Sequence, residues 1–265
     1  FLLPMLPLVF LIGIGMHTTW RHHKGNLLLG RLKIPALLSI VLGILIPGLL
    51  YGRFGLLVSV GVIAAIWVML ASLIDPIRSW RRPEGAAPMT RAMLGQAVAH
   101  FGVGLFILGV TVVSAFNIET DQSMRAGESI EVAGHSFELR ELRQVQGPNY
   151  TAIEGIVEIR KGGDFVAEVR PQKRQYLVQK NWMTEAGINV HWNKDLFIAL
   201  GDQLGNNTWS VRIQYKPMIR FIWLGCLVMA LGGLIAITDR RYRVPVTERS
   251  KTKKRKNKKA VAEPA

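Results

Sequence analysis

The sequence predicts a polytopic α-helical membrane protein of about five transmembrane helices, with an all-β domain, a barrel or a sandwich, inserted before the last of them. Three observations carry this reading. Of the 265 residues 49% are hydrophobic, and they gather in segments of about 20 rather than spreading evenly. Ahead of the last segment, about 100 residues alternate polar and apolar in short runs, the period of half-buried strands. The formal net charge of +15 collects in short connections and in a C-terminal tail. In a soluble chain such a charge would point to nucleic acid. Here cytoplasmic loops account for it, and no nucleic-acid partner is expected.

Residues 1–16 are apolar and read as the end of a spanning helix whose start is missing. The chain opens on Phe1 inside a hydrophobic run, so it is expected to be the C-terminal piece of a longer protein. It lacks the basic n-region and cleavage site of a signal peptide. Residues 17–33 read as a loop carrying Arg21, Lys24, Arg31 and Lys33. Residues 32–50 form a second span, broken or kinked by Pro35 and Pro47, which membrane helices tolerate. A turn at 51–53 leads to a third span at 54–74. Residues 75–91 form a polar loop with Arg78, Arg81, Arg82 and Arg91, and the fourth span is 92–116.

Residues 117–216 make the β-domain. Its runs at 129–133, 136–142, 153–160, 165–169, 196–200 and 209–215 are separated by turn residues such as Gly134, Gly162-Gly163 and Asn206-Asn207. The last span, 217–238, holds Gly225, Gly232 and Gly233, which suit close helix packing. Residues 239–265 form a basic, low-complexity tail suited to anionic lipid. Short basic loops belong in the cytoplasm. Loops 17–33 and 75–91 and the tail agree on one orientation, which sends the β-domain to the outer face, the periplasm of a Gram-negative cell.

One ionisable side chain, His100, interrupts the fourth span. It lies about 13 Å into the helix from Arg91, at about 1.5 Å per residue. Gln96 at i−4 and Gly104 at i+4 share its face. An ionisable group inside a membrane helix is costly and marks a candidate site. A packing histidine, a proton relay, a substrate contact and a haem ligand are the alternatives. Imidazole is a usual axial ligand of haem iron, and Ala97, Ala99, Gly102 and Gly104 would let a flat macrocycle approach the backbone. One histidine fills one axial position only.

His17, His22 and His23 sit among basic residues and read as part of a positively charged membrane-surface loop. His135 and His191 lie in the β-domain at a spacing that matches no metal motif, and read as surface or packing residues. The single cysteine, Cys226, excludes an internal disulfide or a Cys-based metal centre. The stretch holds no Walker loop, GxSxG, CxxC or CxxCH, which sets aside an ATPase, a thiol oxidoreductase and a c-type cytochrome.

From Arg170-Pro171 onward the residues become distinctive. Arg174 and Tyr176 are followed by Thr184-Glu185-Ala186-Gly187-Ile188, Asp195, Leu200-Gly201, Trp209, Val211-Arg212 and Tyr215-Lys216-Pro217. Trp223, Gly232-Gly233 and Asp239-Arg240-Arg241-Tyr242-Arg243 complete the series. It resembles the C-terminal part of the CcmF/NrfE haem lyase family of cytochrome c-type biogenesis proteins. Residues 95–110, with Ala99-His100-Phe101-Gly102, look like that family's late transmembrane histidine segment.

The resemblance implies a subunit of the bacterial inner membrane. It would take haem from a periplasmic, CcmE-like haem chaperone. It would support attachment of that haem to the CxxCH cysteines of apocytochrome c, alongside CcmH-like maturation subunits. The family holds a non-covalent haem b, as reductant or structural cofactor, between two transmembrane histidines. The later one matches His100, with Gln96 and Gly104 facing the haem. The earlier one, and the tryptophan-rich haem-handling segment, would lie upstream of Phe1, so this stretch alone is expected to be inactive. The rival is a transporter or proton-relay subunit using His100. A relay normally needs a chain of ionisable groups, and the sequence shows one.

Overall fold

The computed structural model describes residues 2–18, 25–52, 55–81 and 89–239. The chain divides into a helical unit and a unit dominated by β-structure. The helices are α1 (Leu2–Gly15), α2 (Gly25–Tyr51), α3 (Leu56–Trp80), α4 (Arg91–Phe116) and α5 (Ile219–Ile237). Among the described residues α2 to α5 are long and apolar enough to cross a membrane, and α1 is a shorter apolar helix of 14 residues. Their large side chains point outward: Leu29 is 70% exposed, Leu49 78% and Leu56 82%. The bundle interior combines small or polar residues, with Ala64, Ala65, Ala71, Ser39 and Ser72 buried, and a few larger ones such as Val62, Trp67 and Val68. Apolar surface turned out and small residues turned in suit a lipid solvent, where helices associate by close packing.

The helices outrun the spans read from hydropathy. α2 starts at Gly25 and carries Arg31 and Lys33 inside it, so the expected loop 17–33 is shorter. It continues as one helix through Pro35 and Pro47. α3 continues through Asp75, Pro76 and Arg78 to Trp80, which shortens the expected loop 75–91 in the same way. His22, His23, the middle of the 75–91 loop and the tail beyond Asp239 lie outside the described residues. α1 docks on α3 through Trp67, which is buried and whose Nε1–H donates to the Phe10 carbonyl at 3.1 Å. Gly13 makes room for the indole, because a Cβ there would overlap the ring.

The β-unit is a sandwich of antiparallel strands. One sheet orders β1 (Ile118–Met124), β10 (Thr208–Pro217), β9 (Lys194–Gly205) and β8 (Gly187–Val190) side by side. The other runs β2 (Ser129–Val132), β3 (His135–Gln146), β4 (Tyr150–Lys161), β6 (Gln172–Tyr176) and β7 (Trp182–Glu185). β5 (Asp164–Val169) also pairs with β4, along its C-terminal half, and β6 takes over along the N-terminal half. Between them stands Pro171, whose carbonyl accepts from Gly155 N–H at 2.9 Å. The core alternates along each strand as a two-faced sheet requires: Leu196, Ile198 and Leu200 of β9 meet Phe137 and Leu139 of β3 and Ile159 of β4.

A carboxylate is set into this sandwich. Glu154 of β4 is 6% exposed and accepts from Arg143 and Gln172. Burial is the largest influence on its carboxyl and would raise its pKa. The hydrogen bonds from Gln172 and Arg143 outweigh burial, and the net shift is below the ordinary 4.5. A carboxyl depressed in the folded state stabilises above its unfolded value and loses that contribution as pH falls through the folded one. Glu154→Gln is therefore expected to cost about 1–3 kcal/mol at neutral pH. The gap from the parent should close below about pH 4.5 in thermal unfolding followed against pH. A gap that does not narrow as pH falls below about 4.5 would show that the ionised carboxyl is not its source.

Candidate functional site

The site is built on α4, and its N-terminus is held from two directions. Thr90 Oγ1 accepts from Met93 N–H at 3.2 Å, the usual satisfaction of an N-terminal donor. Asp239, just past α5, accepts from Ala92 N–H through Oδ2 at 2.9 Å. The first residue of the Asp-Arg-Arg-Tyr-Arg series is thus a cap that ties the two ends together, and a carboxylate suits the positive end of a helix.

One face of α4 is a glycine seam. A Cβ at Gly95 would lie 2.5 Å from the Gly232 carbonyl oxygen, and one at Gly102 would lie 2.7 Å from Met229 N. One at Gly109 would lie 2.7 Å from Ile222 N. The three glycines recur every seven residues, and each meets α5 backbone. On α5, Gly225 and Gly232 answer them, while Gly233 faces open space.

The other face carries Gln96, His100 and Gly104. A Cβ at Gly104 would overlap Met69 and lie 2.8 Å from the Ala65 carbonyl oxygen, both on α3. Gly104 therefore serves helix packing, and the expected approach of a macrocycle over it does not fit. The same holds for Gly102 and Ala99, which meet α5. Gln96 and Ala97 line a cavity of about 120 Å³ with Met16, Ser72, Asp75 and Met93. That is below the roughly 300 Å³ at which small-molecule pockets begin. His100 is half-buried. Its Nδ1 is buried without a hydrogen-bond partner among the described residues. A buried ring nitrogen with no protein partner is one that a bound group could satisfy, so the His100 ring is compatible with an axial role.

His17 is not at the membrane surface. It is 5% exposed, and its Nε2 lies 2.9 Å from the Ala71 carbonyl. Its Nδ1 lies 3.3 Å from Asp75 Oδ2. The basic neighbours Arg21 and Lys24 hid this in the sequence, because only the fold brings the end of α1 against α3.

Of the β-domain histidines, His135 is a buried packing residue, whereas His191 is half-buried with Nε2 unpartnered among the described residues. His135 is 3% exposed; its Nδ1 lies 2.9 Å from the Ala133 carbonyl, and Lys194 Nζ lies 2.8 Å from its Nε2. Burial lowers the pKa of both His135 and Lys194, so the imidazole is neutral and accepts from the lysine. Among the described residues no group of three His, Cys, Asp or Glu side chains could hold a metal ion. The distinctive Thr184–Ile188 series turns out to be architectural. β7 and β8 belong to different sheets, and the chain crosses between them at Ala186. A Cβ at Gly187 would lie 3.0 Å from Pro171 N and Val169 Cβ, so the crossing needs glycine.

Residues 115–217 match a family model described as the CcmF C-terminal beta-sandwich. The chain is 36% identical over 251 residues to the cytochrome c-type biogenesis protein CcmF of Pseudomonas fluorescens, covering 93% of this chain and 38% of the relative. It is 34% identical over 252 residues to CcmF of Pseudomonas aeruginosa, covering 94% and 38%. A solved structure titled cytochrome c heme lyase CcmF superposes with a TM-score of 0.74 at 22% identity, over 88% of this chain and 38% of that one. The chain thus spans about two fifths of the length of these proteins. Together with the sandwich and the apolar helices around it, these likenesses show that the chain belongs to the CcmF family of cytochrome c-type biogenesis proteins.

Proposed function

We propose that this chain is the C-terminal region of a haem lyase subunit in which His100 supplies one axial position to a non-covalent haem b. The observation that supports it is the His100 ring, half-buried within the span with Nδ1 buried and without a hydrogen-bond partner among the described residues. When bound, such a haem supplies one-electron redox chemistry or a rigid prop between helices. One histidine would fill one axial position, and the other would have to come from a further residue. Gln96 borders the site one turn below His100.

The larger protein would take haem from a CcmE-like chaperone and support its attachment to CxxCH cysteines of apocytochrome c with CcmH-like subunits. The likeness to cytochrome c-type biogenesis proteins supports a role in cytochrome c maturation. Arg31, Lys33 and Arg78, at the ends of α2 and α3 that share one side of the bundle, support a cytoplasmic placement for those ends. The inner membrane is then the site of action, with the β-domain in the periplasm and the tail in the cytoplasm.

The test is the visible spectrum of the full-length protein purified from a haem-replete host, oxidised and reduced. The parent is expected to show a reduced b-type spectrum, and His100→Ala to lose most of it while still accumulating. Retention of the full spectrum in His100→Ala removes the ligand assignment. A parent with no haem absorbance favours the relay reading.

A further inference from the structure

Among the described residues, Asp75 and His17 form a further pair of ionisable groups within the helical unit. The Ala71 carbonyl can only accept, so the Nε2 that lies 2.9 Å from it carries a hydrogen. Nδ1 then faces Asp75 Oδ2 at 3.3 Å. A neutral imidazole with its hydrogen on Nε2 presents a lone pair at Nδ1, and an ionised carboxylate presents another. Two acceptors do not hold each other. The contact requires one further proton, on Nδ1 as an imidazolium or on Oδ2 as a carboxylic acid. The pair is electrically neutral in either form, which is the state that a buried site in a membrane helix bundle favours.

The proton has a route to water. The His17 side chain is 1% exposed, whereas that of Asp75 is 30% exposed and borders the cavity shared with Ser72 and Gln96. A cavity of about 120 Å³ holds several waters, at about 30 Å³ each. Ser72 donates to the Met69 carbonyl and keeps its lone pairs for such waters. Among the described residues, the charges facing the carboxylate besides His17 are Arg31 of α2 and Arg78 of α3. The α4 wall of the cavity is uncharged, formed by Met93, Gln96 and Ala97.

We propose that His17 and Asp75 form a proton-binding site that exchanges one proton with water through this cavity, and that the proton governs the hold of α1 on α3. Release of the proton leaves imidazole and carboxylate with opposed lone pairs, so the contact opens as pH rises. Binding of a proton from water restores it. No electron or second reactant takes part, and the site does not depend on what His100 carries.

Infrared difference spectra of the full-length protein, with ring-labelled histidine, test this between pH 5 and pH 10 in H2O and D2O. The parent is expected to show one titration in which imidazole and carboxyl bands change together, with exchange in D2O within minutes. Asp75→Asn should lose it. His17→Gln should lose it too, yet keep the parental unfolding temperature at low pH, because its amide can still donate to the Ala71 carbonyl. Bands that do not move with pH in the parent overturn the proposal, as does a titration that survives in both variants. If a variant fails to accumulate, the labelled parent decides alone. Bands that titrate without D2O exchange overturn the cavity route.

Discussion

Gly232→Leu is expected to abolish accumulation of folded full-length protein, while Gly233→Leu, one residue on, leaves it at the parental level. The two glycines are chemically identical and adjacent, so hydropathy and helix propensity change equally. Only their surroundings differ. A Cβ at Gly232 would lie 2.6 Å from the Gly95 carbonyl oxygen and closer still to Ala99 N, both backbone atoms of α4 that cannot turn aside. At Gly233 it would meet nothing within 4 Å. Overpacking of a tight interface costs about 1–3 kcal/mol when side chains can yield. Here helix axes must separate, which opens the seam along its length and removes the packing that holds membrane helices together. The measurement is the monodisperse yield after detergent extraction, with thermal aggregation of whatever survives. Equal yields from the two variants would dismiss the seam as an organising contact.

Phe137→Ala is expected to unfold the β-domain at a much lower temperature without dissolving the helical signal. Phe137 is 0% exposed, lies in β3 opposite Ile159 of β4, and packs in the core formed by both sheets. Removing a buried aromatic ring costs about 3–5 kcal/mol, from lost burial and from the void left behind. For a domain near 100 residues each kcal/mol shifts the midpoint by about 4–8 °C. A fall of about 12 °C or more should therefore appear in near-ultraviolet dichroism and in limited proteolysis of the β-domain. Phe165→Ala is the counterpart, since that ring is 62% exposed and its loss should change the midpoint little. A shift under about 4 °C for Phe137→Ala would contradict the packing described.

The large features of this chain are legible in its residues because they are periodic. Leu196, Ile198 and Leu200 announce a strand by alternation, and the apolar spans announce helices by length. Of the strands that escaped the reading, β7 and β8 are only four residues long, and β1 and β6 are polar. β1 has a single buried residue, Met124, and every residue of β6 is half-buried, so neither carries a period. Their strandness comes from neighbours: β1 is held by β10, and β6 by β4 and β7. The end of α3 was misjudged for a related reason. Asp75 reads as the start of a polar loop, but His17 partners it, and the helix runs on to Trp80. The same pair explains the misplacement of His17. Its burial depends on a residue 58 positions away, which no local window contains. At the α4 site, His100 was visible as the one ionisable residue in its span. The use of Gly104 and Gly102 was not, because a small residue gives room equally to a macrocycle or to a helix.

The seven-residue spacing of Gly95, Gly102 and Gly109 has a consequence for motion. Sliding α4 along α5 by one residue would drive a bulky neighbour of each glycine into the opposing backbone. Even a slide of seven residues, two turns or about 10.5 Å at 1.5 Å per residue, would match only two of the three notches. No intermediate stop exists, and a stroke of that size would tear Ala92 from Asp239. α4 and α5 are therefore keyed like a spline on its shaft. His100 rides at a fixed height on that assembly, so an event at its ring cannot be transmitted as a piston stroke between the two helices.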